Sequence, residues 1–320
     1  MHLSADNWAE RIRAGEVRAI SRAVSAIEDR APQAEEILRQ LFAYTGRAFR
    51  IGVTGAPGTG KSTLVDRLAA DYRARKKAVG IIAVDPSSPF TGGAILGDRI
   101  RMQGHATDSG IFIRSMATRG YLGGLAQATG ETALLLDAAG KEIILIETVG
   151  VGQGEIEIVR AADCTLVVLM PGMGDDVQSL KAGLMEIGDI FVLNKSDRED
   201  ARRFEQQLAA MLQLAPERNG WRPPVVRTVA TEGVGIGELS RQIELFRAHF
   251  EKNRDRRVRE VAYWKEWLLR LLETRLMERV GERITEQQFE ECASEVAARK
   301  KDPYAAVDEI IARAGLGEKR

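Results

Sequence analysis

The chain has little sulfur and little imidazole: two cysteines, Cys164 and Cys292, and three histidines, His2, His105 and His249, in 320 residues. The cysteines lie far apart with no partner spacing. Neither a disulfide framework nor a zinc site is implied, which suits a reducing compartment. The scattered histidines fit surface or packing roles better than metal ligation. There is no excess of one charge either: 46 Lys and Arg stand against 46 Asp and Glu. A general nucleic-acid binder is therefore not indicated. No apolar run approaches the roughly 20 residues of a membrane helix. The N-terminal stretch, with Asp6 early in it, lacks a signal-type apolar core. These absences predict a cytoplasmic protein with neither a membrane nor a nucleic-acid partner.

What the chain does have is glycine at the ends of apolar runs. Gly55-Ala56-Pro57-Gly58-Thr59-Gly60-Lys61-Ser62 fits the phosphate-binding loop pattern. An apolar run ending Ile51-Gly52-Val53-Thr54 leads in, and an amphipathic helix from Lys61 to Lys76 leads out. In strand, glycine loop and helix, backbone N–H groups curl around phosphate oxygens, and the helix N-terminus adds positive potential. Lys61 is expected to reach the β- and γ-phosphates and Ser62 to hold Mg²⁺.

Residues 1–48 read as helical: Ile20, Val24 and Ile27, then Ile37, Leu38 and Leu41, fall at helical spacing on either side of Pro32. From residue 49 to about 250, strands and helices alternate. Strands are expected at 49–54, 79–84, 111–114, 142–147, 164–170, 189–193 and 224–229. Runs such as Ile143-Ile144-Leu145-Ile146 suit a mostly parallel sheet covered on both faces. The fold class predicted is α/β, a P-loop NTPase with helical N- and C-terminal extensions, divided as 1–48, 49–250 and 251–320. In the last segment Trp264, Trp267, Leu268, Leu271 and Leu272 form an apolar face, for packing within the chain or for a dimer contact.

Ligands of such sheets bind beyond the carboxyl ends of the strands, and the candidate chemistry sits there. Asp85 ends the second strand and is placed for Mg²⁺ or a bound water; Asp98 follows as a second candidate or a helix-surface charge. Arg114 and Arg119 suit a phosphate, a partner or a structural ion pair. Glu147 ends a buried strand before the glycine loop Val149-Gly150-Val151-Gly152. It is suited to Mg²⁺ through water, with the Gly150 N–H for the γ-phosphate. Gln153 is a candidate to orient water. Pro171–Lys181 is a glycine- and acid-rich loop in which Gln178 and Lys181 share a face; spacing alone fits a solvated helix start. Asn194-Lys195-Ser196-Asp197 follows an apolar strand. The Asp197 carboxylate can accept both guanine N1–H and N2–H₂, and the Lys195 stem can lie along the base. Asn194 either donates to the base or ties its loop to the phosphate loop. Val229-Ala230-Thr231 is where a backbone N–H for guanine O6 is expected. These residues favour GTP or GDP over ATP as the expected nucleotide.

The order of these motifs resembles the MeaB/ArgK family of GTPases, within the SIMIBI class of P-loop proteins, that accompany adenosylcobalamin-dependent acyl-CoA mutases such as methylmalonyl-CoA mutase. The match runs through Gly55–Thr63, Asp85–Arg99, Arg114–Gly124, Glu147–Glu155, Pro171–Lys181 and Asn194–Asp197. The resemblance implies a homodimer with helical extensions around a GTPase core. It implies Mg²⁺-dependent GTP hydrolysis that gates adenosylcobalamin loading into the mutase and protects or repairs that enzyme. Asp85, Asp98 and Glu147 fall on the family's Mg²⁺-site positions. Gln178 and Lys181 fall on positions implicated in hydrolysis stimulated by the partner. The chain departs from the family at Tyr121, Met173, Asp176 and Ala182, which bear on the partner-facing loop. It has no Asp-x-His-x-x-Gly cobalamin motif. Two other readings are a metal-insertion GTPase, which needs Cys/His clusters, and a protein kinase of an amino-acid transport system.

Overall fold

Apolar runs without polar alternation, such as 143–146 and 166–169, call for strands covered on both faces, and with them seven strands form one parallel sheet. The computed structural model describes residues 5–85, 108–117, 122–148, 162–172, 184–214, 217, 220–252 and 255–316. Three helices come first: α1 (Ala5–Arg13), α2 (Val17–Glu28) and α3 (Pro32–Leu41). The strands are β1 (Phe49–Thr54), β2 (Val79–Asp85), β3 (Ile111–Ala117), β4 (Ile143–Thr148), β5 (Cys164–Leu169), β6 (Ile190–Leu193) and β7 (Val225–Arg227). Their spatial order is β3-β2-β4-β1-β5-β6-β7, with every neighbouring pair parallel. The helices set among them are α4 (Lys61–Ala74), α5 (Leu122–Ala138), α6 (Leu184–Ile187), α7 (Ala201–Leu214) and α8 (Ile236–Lys252).

The two-residue period of a strand sorts each run between two cores. Ile143 and Leu145 join Ile51, Val53, Leu64, Leu68 and Tyr72 on the face covered by α4 and α8. Ile144 and Ile146 join Ile82, Val84, Leu135 and Leu136 on the face covered by α5 and the N-terminal helices. A third cluster packs α7, through Phe204 and Leu208, on Phe191 and Leu193.

The N-terminal helices are part of this body. Ile12, Ile20, Val24, Ile27, Ile37 and Leu41 are all buried, worth roughly 10 kcal/mol of apolar transfer before ordering entropy is subtracted. Periodicity predicted helical segments on either side of Pro32. Within the stretch read as helical, α1 is a separate helix; among its described residues it buries Ala9 and Ile12, too few to show a period. Asp137, near the end of α5, accepts from the N–H groups of Gly46 (2.6 Å) and Ala48 (2.9 Å), fixing the entry into β1.

Residues 1–256 form one compact unit and residues 257–320 another. The second is helical, with most of α9 (Asp255–Gly281), then α10 (Glu286–Ala297) and α11 (Pro303–Arg313). Thr285 and Gln288 form a reciprocal capping box at the start of α10. Asp302 caps α11 ahead of Pro303. Tyr263, Trp264 and Trp267 pack ring to ring on α9 with centroids 5.3–5.8 Å apart. Leu268, Leu272 and Met277 stand exposed on the same helix. No described helix is long and apolar enough to cross a membrane.

Candidate functional site

The turn from β1 into α4 is made by glycines at positive φ, two of them in close contact with neighbouring groups. Gly55 has φ +147°, and a Cβ there would run into the backbone carbonyl of Val168 on β5. Gly60 has φ +91°, and its Cβ would fall on the side-chain amide of Asn194. Between them the loop closes on itself: the Thr59 hydroxyl donates to Ala56 O at 2.9 Å, and Thr59 is fully buried. Ala56 is half-buried, and Pro57 and Gly58 are exposed. The first N-terminal turn of α4 follows, with Lys61, Ser62 and Thr63 in it and the Leu64 N–H bonded to Gly60 O at 3.0 Å.

Lys61 is buried, and its ammonium folds back over the loop, donating to Gly55 O (2.8 Å) and Ala56 O (3.0 Å). An ammonium held this way is a compact point charge inside the loop that phosphate oxygens would enter. Beside it, the Ser62 hydroxyl donates to Glu147 Oε1 at 2.5 Å. Sheet register explains the meeting. Glu147 pairs with Val53 across β4 and β1, one residue short of the strand end, and is buried. Asp85 is the last residue of β2, whose Val84 pairs with Thr148. The backbone therefore brings β2 and β4 to a common edge.

The third part of the site follows β6. The Asn194 N–H donates to Leu169 O at 2.8 Å, and its buried side chain makes three further bonds. Its amide donates to Thr59 O at 2.8 Å, and its oxygen accepts from the Thr228 hydroxyl (3.0 Å) and the Ala230 N–H (3.1 Å). Lys195, held at φ +56°, donates from its ammonium to Gly58 O at 2.8 Å. Asp197 is exposed at the loop's tip. Of the two roles open to Asn194 in the sequence, the structure shows the tether to the phosphate loop.

The structure thus brings together Gly55–Thr63, Glu147, Asn194–Asp197 and Val229–Thr231, with the backbone of Asp85 on the same sheet edge. Asp98, Gly150, Gln178 and Lys181 lie outside the described residues, as do Arg119, Tyr121, Gln153, Met173, Asp176 and Ala182. Arg114 resolves to the ion-pair alternative: it forks Glu28 of α2 and reaches the Ser25 hydroxyl at 3.1 Å. Thr228 is the member that motif reading missed. It carries no motif of its own, and only its place just before Val229 would have suggested it.

Comparison with known proteins follows the same residues. The profile of the family described as methylmalonyl-CoA mutase-associated GTPase MeaB matches residues 20–285. A Pyrococcus abyssi protein named as a GTPase is 48% identical over 309 residues, which is 96% of this chain and 95% of that one. The GTPase ArgK of Escherichia coli is 40% identical over 239 residues, 72% of each chain. A crystal structure described as an LAO/AO transport system kinase aligns with a TM-score of 0.72 at 26% identity, covering 97% of this chain and 98% of its own. Seven parallel strands, a phosphate loop after β1 and relatives aligned over nearly the full length lead to one conclusion: this chain belongs to the MeaB family of methylmalonyl-CoA mutase-associated GTPases.

Proposed function

We propose that this GTPase is the nucleotide-driven chaperone of an adenosylcobalamin-dependent acyl-CoA mutase, gating cofactor loading and protecting or repairing that enzyme. The observation that carries the nucleotide half is the Asn194 amide bonded to Thr59 O, which joins a base-reading loop to a phosphate loop. The family's description as mutase-associated supports the partner half.

In this reading the N–H groups of Gly55–Thr63 and the Lys61 ammonium bind the β- and γ-phosphates. Lys61 exchanges two loop carbonyls for phosphate oxygens as it does so. Asp197 accepts the guanine N1–H and N2–H₂, Lys195 lies along the base, and Val229–Thr231 face its O6. The Ser62 hydroxyl, the Glu147 carboxylate, Asp85 and Asp98 form a set of hard oxygen donors of the kind that holds Mg²⁺. The pair already in contact, Ser62 and Glu147, fits that chemistry. When bound, Mg²⁺ supplies neutralisation of the charge that develops on the phosphate oxygens. The Gly150 N–H senses the γ-phosphate, and Gln178 and Lys181 raise hydrolysis when the partner engages. Catalysis on this account is positioning and charge stabilisation.

The extensions are read as an N-terminal packing layer, 1–48, and a C-terminal dimerisation arm, 251–320. The exposed Leu268, Leu272 and Met277 support the second. Neither Cys164 nor Cys292 is in a disulfide and both are buried, in keeping with the cytoplasm.

The test is capture of partners from cells with GDP and then with a non-hydrolysable GTP analogue, followed by hydrolysis assays with the captured enzyme. Recovery of a B12-dependent mutase, with stimulated hydrolysis lost in Lys181→Ala, is the expected result. Absence of any such enzyme under both nucleotides counts against the partner. The kinase name of the solved relative sets the second arm. GTP labelled at the γ-phosphate should yield free phosphate, and label retained on a protein would favour the kinase reading.

A further inference from the structure

The loop after β7 has few backbone donors to offer a base. The Val229 N–H is bonded to Val234 O (3.0 Å), Glu232 to Val229 O (3.0 Å), Gly233 to Ala230 O (3.3 Å) and Val234 to Val229 O (3.2 Å). The Ala230 N–H is bonded to Asn194 Oδ1 at 3.1 Å. Within 229–234 the donor left over among the described residues is the N–H of Thr231.

That N–H is aimed from a distance. Arg67, in the second turn of α4, donates from Nε to Ala230 O at 3.1 Å and from Nη2 to Thr231 O at 2.7 Å. Ala230 O and the Thr231 N–H belong to one peptide unit. The unit is planar and trans, so its two polar groups point in opposite directions. Holding Ala230 O toward α4 turns the Thr231 N–H to the side away from it. A planar guanidinium fork holds two successive carbonyls at once, whereas a Lys ammonium is a single point donor on a flexible stem. Arg67 is exposed, so its part is not core packing.

We propose that Arg67 is a positioning residue for guanine selectivity: its fork on Ala230 O and Thr231 O aims the Thr231 N–H at the oxygen at position six of the base. That oxygen separates guanine from adenine, which carries a donor there. The proposal rests on the guanine-pocket reading above. It adds that the helix beginning with Lys61 and Ser62 also sets the base-reading loop, so one rigid element gauges both ends of the nucleotide. A second bond, from the Ser240 hydroxyl on α8 to Asp71 Oδ2 on α4 at 2.7 Å, holds the segment that follows the loop to the same helix.

The experiment compares dissociation constants of GDP, ADP and 2-aminopurine riboside diphosphate for the full chain and for Arg67→Ala and Arg67→Lys. The last two ligands have no oxygen at position six. Arg67→Ala should weaken GDP about three- to tenfold, the scale of one misaligned hydrogen bond, and leave the other two ligands unchanged. Arg67→Lys should recover part of the loss. In turnover the change should appear in KM for GTP and not in kcat. Equal weakening of all three ligands, or unchanged GDP affinity, overturns the proposal. Asp197→Asn tested with xanthosine diphosphate separates the two levels. If that variant turns to xanthosine while Arg67→Ala keeps its GDP to ADP ratio, only the role of Arg67 fails. If Asp197→Asn still prefers guanosine, the base pocket itself is wrong and the proposal falls with it.

Discussion

Asn194 and Thr59 lie 135 residues apart and share a hydrogen bond of 2.8 Å inside the protein. The bond makes the phosphate loop and the loop after β6 one structure. Truncation as Asn194→Ala would strip a buried donor from Thr59 O and a buried acceptor from both Thr228 and Ala230. The expected loss is about 2–4 kcal/mol of stability, since each buried group left unpaired costs on the order of 1–3 kcal/mol. Urea unfolding of the nucleotide-free variant measures it. A loss well under 1 kcal/mol would mean the tether is not made in solution.

The loop glycines should rank by what a methyl group meets. Gly55→Ala places it against the Val168 backbone, Gly60→Ala against the Asn194 amide, and Gly58→Ala against nothing within 4 Å. All three positions have positive φ, so Gly58→Ala still carries the left-handed strain of roughly 1–2 kcal/mol. Thermal melts should order the losses Gly55, then Gly60, then Gly58, with Gly55→Ala on the order of 3 kcal/mol or more. Any other order would show the loop adopting a different path.

Glu147→Gln keeps an oxygen near the Ser62 hydroxyl and removes the charge. With Glu147 in the Mg²⁺ site, the concentration of Mg²⁺ for half-maximal GTP hydrolysis should rise by about 10–100-fold. A titration of activity against Mg²⁺ reads this directly. An unchanged midpoint would confine Glu147 to structural support of α4.

Glu131, on α5, gives a pH dependence unrelated to catalysis. Burial pushes its carboxyl up; the hydrogen bond from Gln127 (2.8 Å) and the charge of Arg30 oppose this, and Glu35 adds to it. A folded-state pKa above the unfolded one means the native state holds its proton longer. The stability this gives is complete below the unfolded carboxylate pKa of about 4.3. It is lost as pH rises through the folded value. Glu131→Gln should therefore be the more stable protein at pH 7, with the difference closing toward pH 4. Melting curves across that range that stay parallel would contradict the assignment.

The parts of this molecule that were legible in the sequence are those whose physical cause is local. Ile51 to Ser62 reads as strand, loop and helix because glycines and apolar spacing act over a few residues. The Asn194 tether was one of two roles open in Asn194-Lys195-x-Asp197, because the motif is contained in four positions directly after a strand. Helix α4 ends at Ala74 rather than Lys76, since the chain turns through Lys76 at φ +62°, which no proline or glycine announces. Arg67, Thr228 and Asp137 act across 34 to 164 positions of chain. An exposed helical arginine looks the same in a sequence whether it holds a loop or faces water.

With Lys61 as a phosphate ligand, the two carbonyls its ammonium already holds, Gly55 O and Ala56 O, would rival every phosphate that arrives. Binding is then an exchange of partners for a cation that is never left bare, so its full electrostatic strength does not appear in the affinity. The same exchange run backward would ease release, because the departing phosphate would be replaced from within the chain. A GTPase that must let go of its product would be served by a built-in ceiling on how tightly it can hold on.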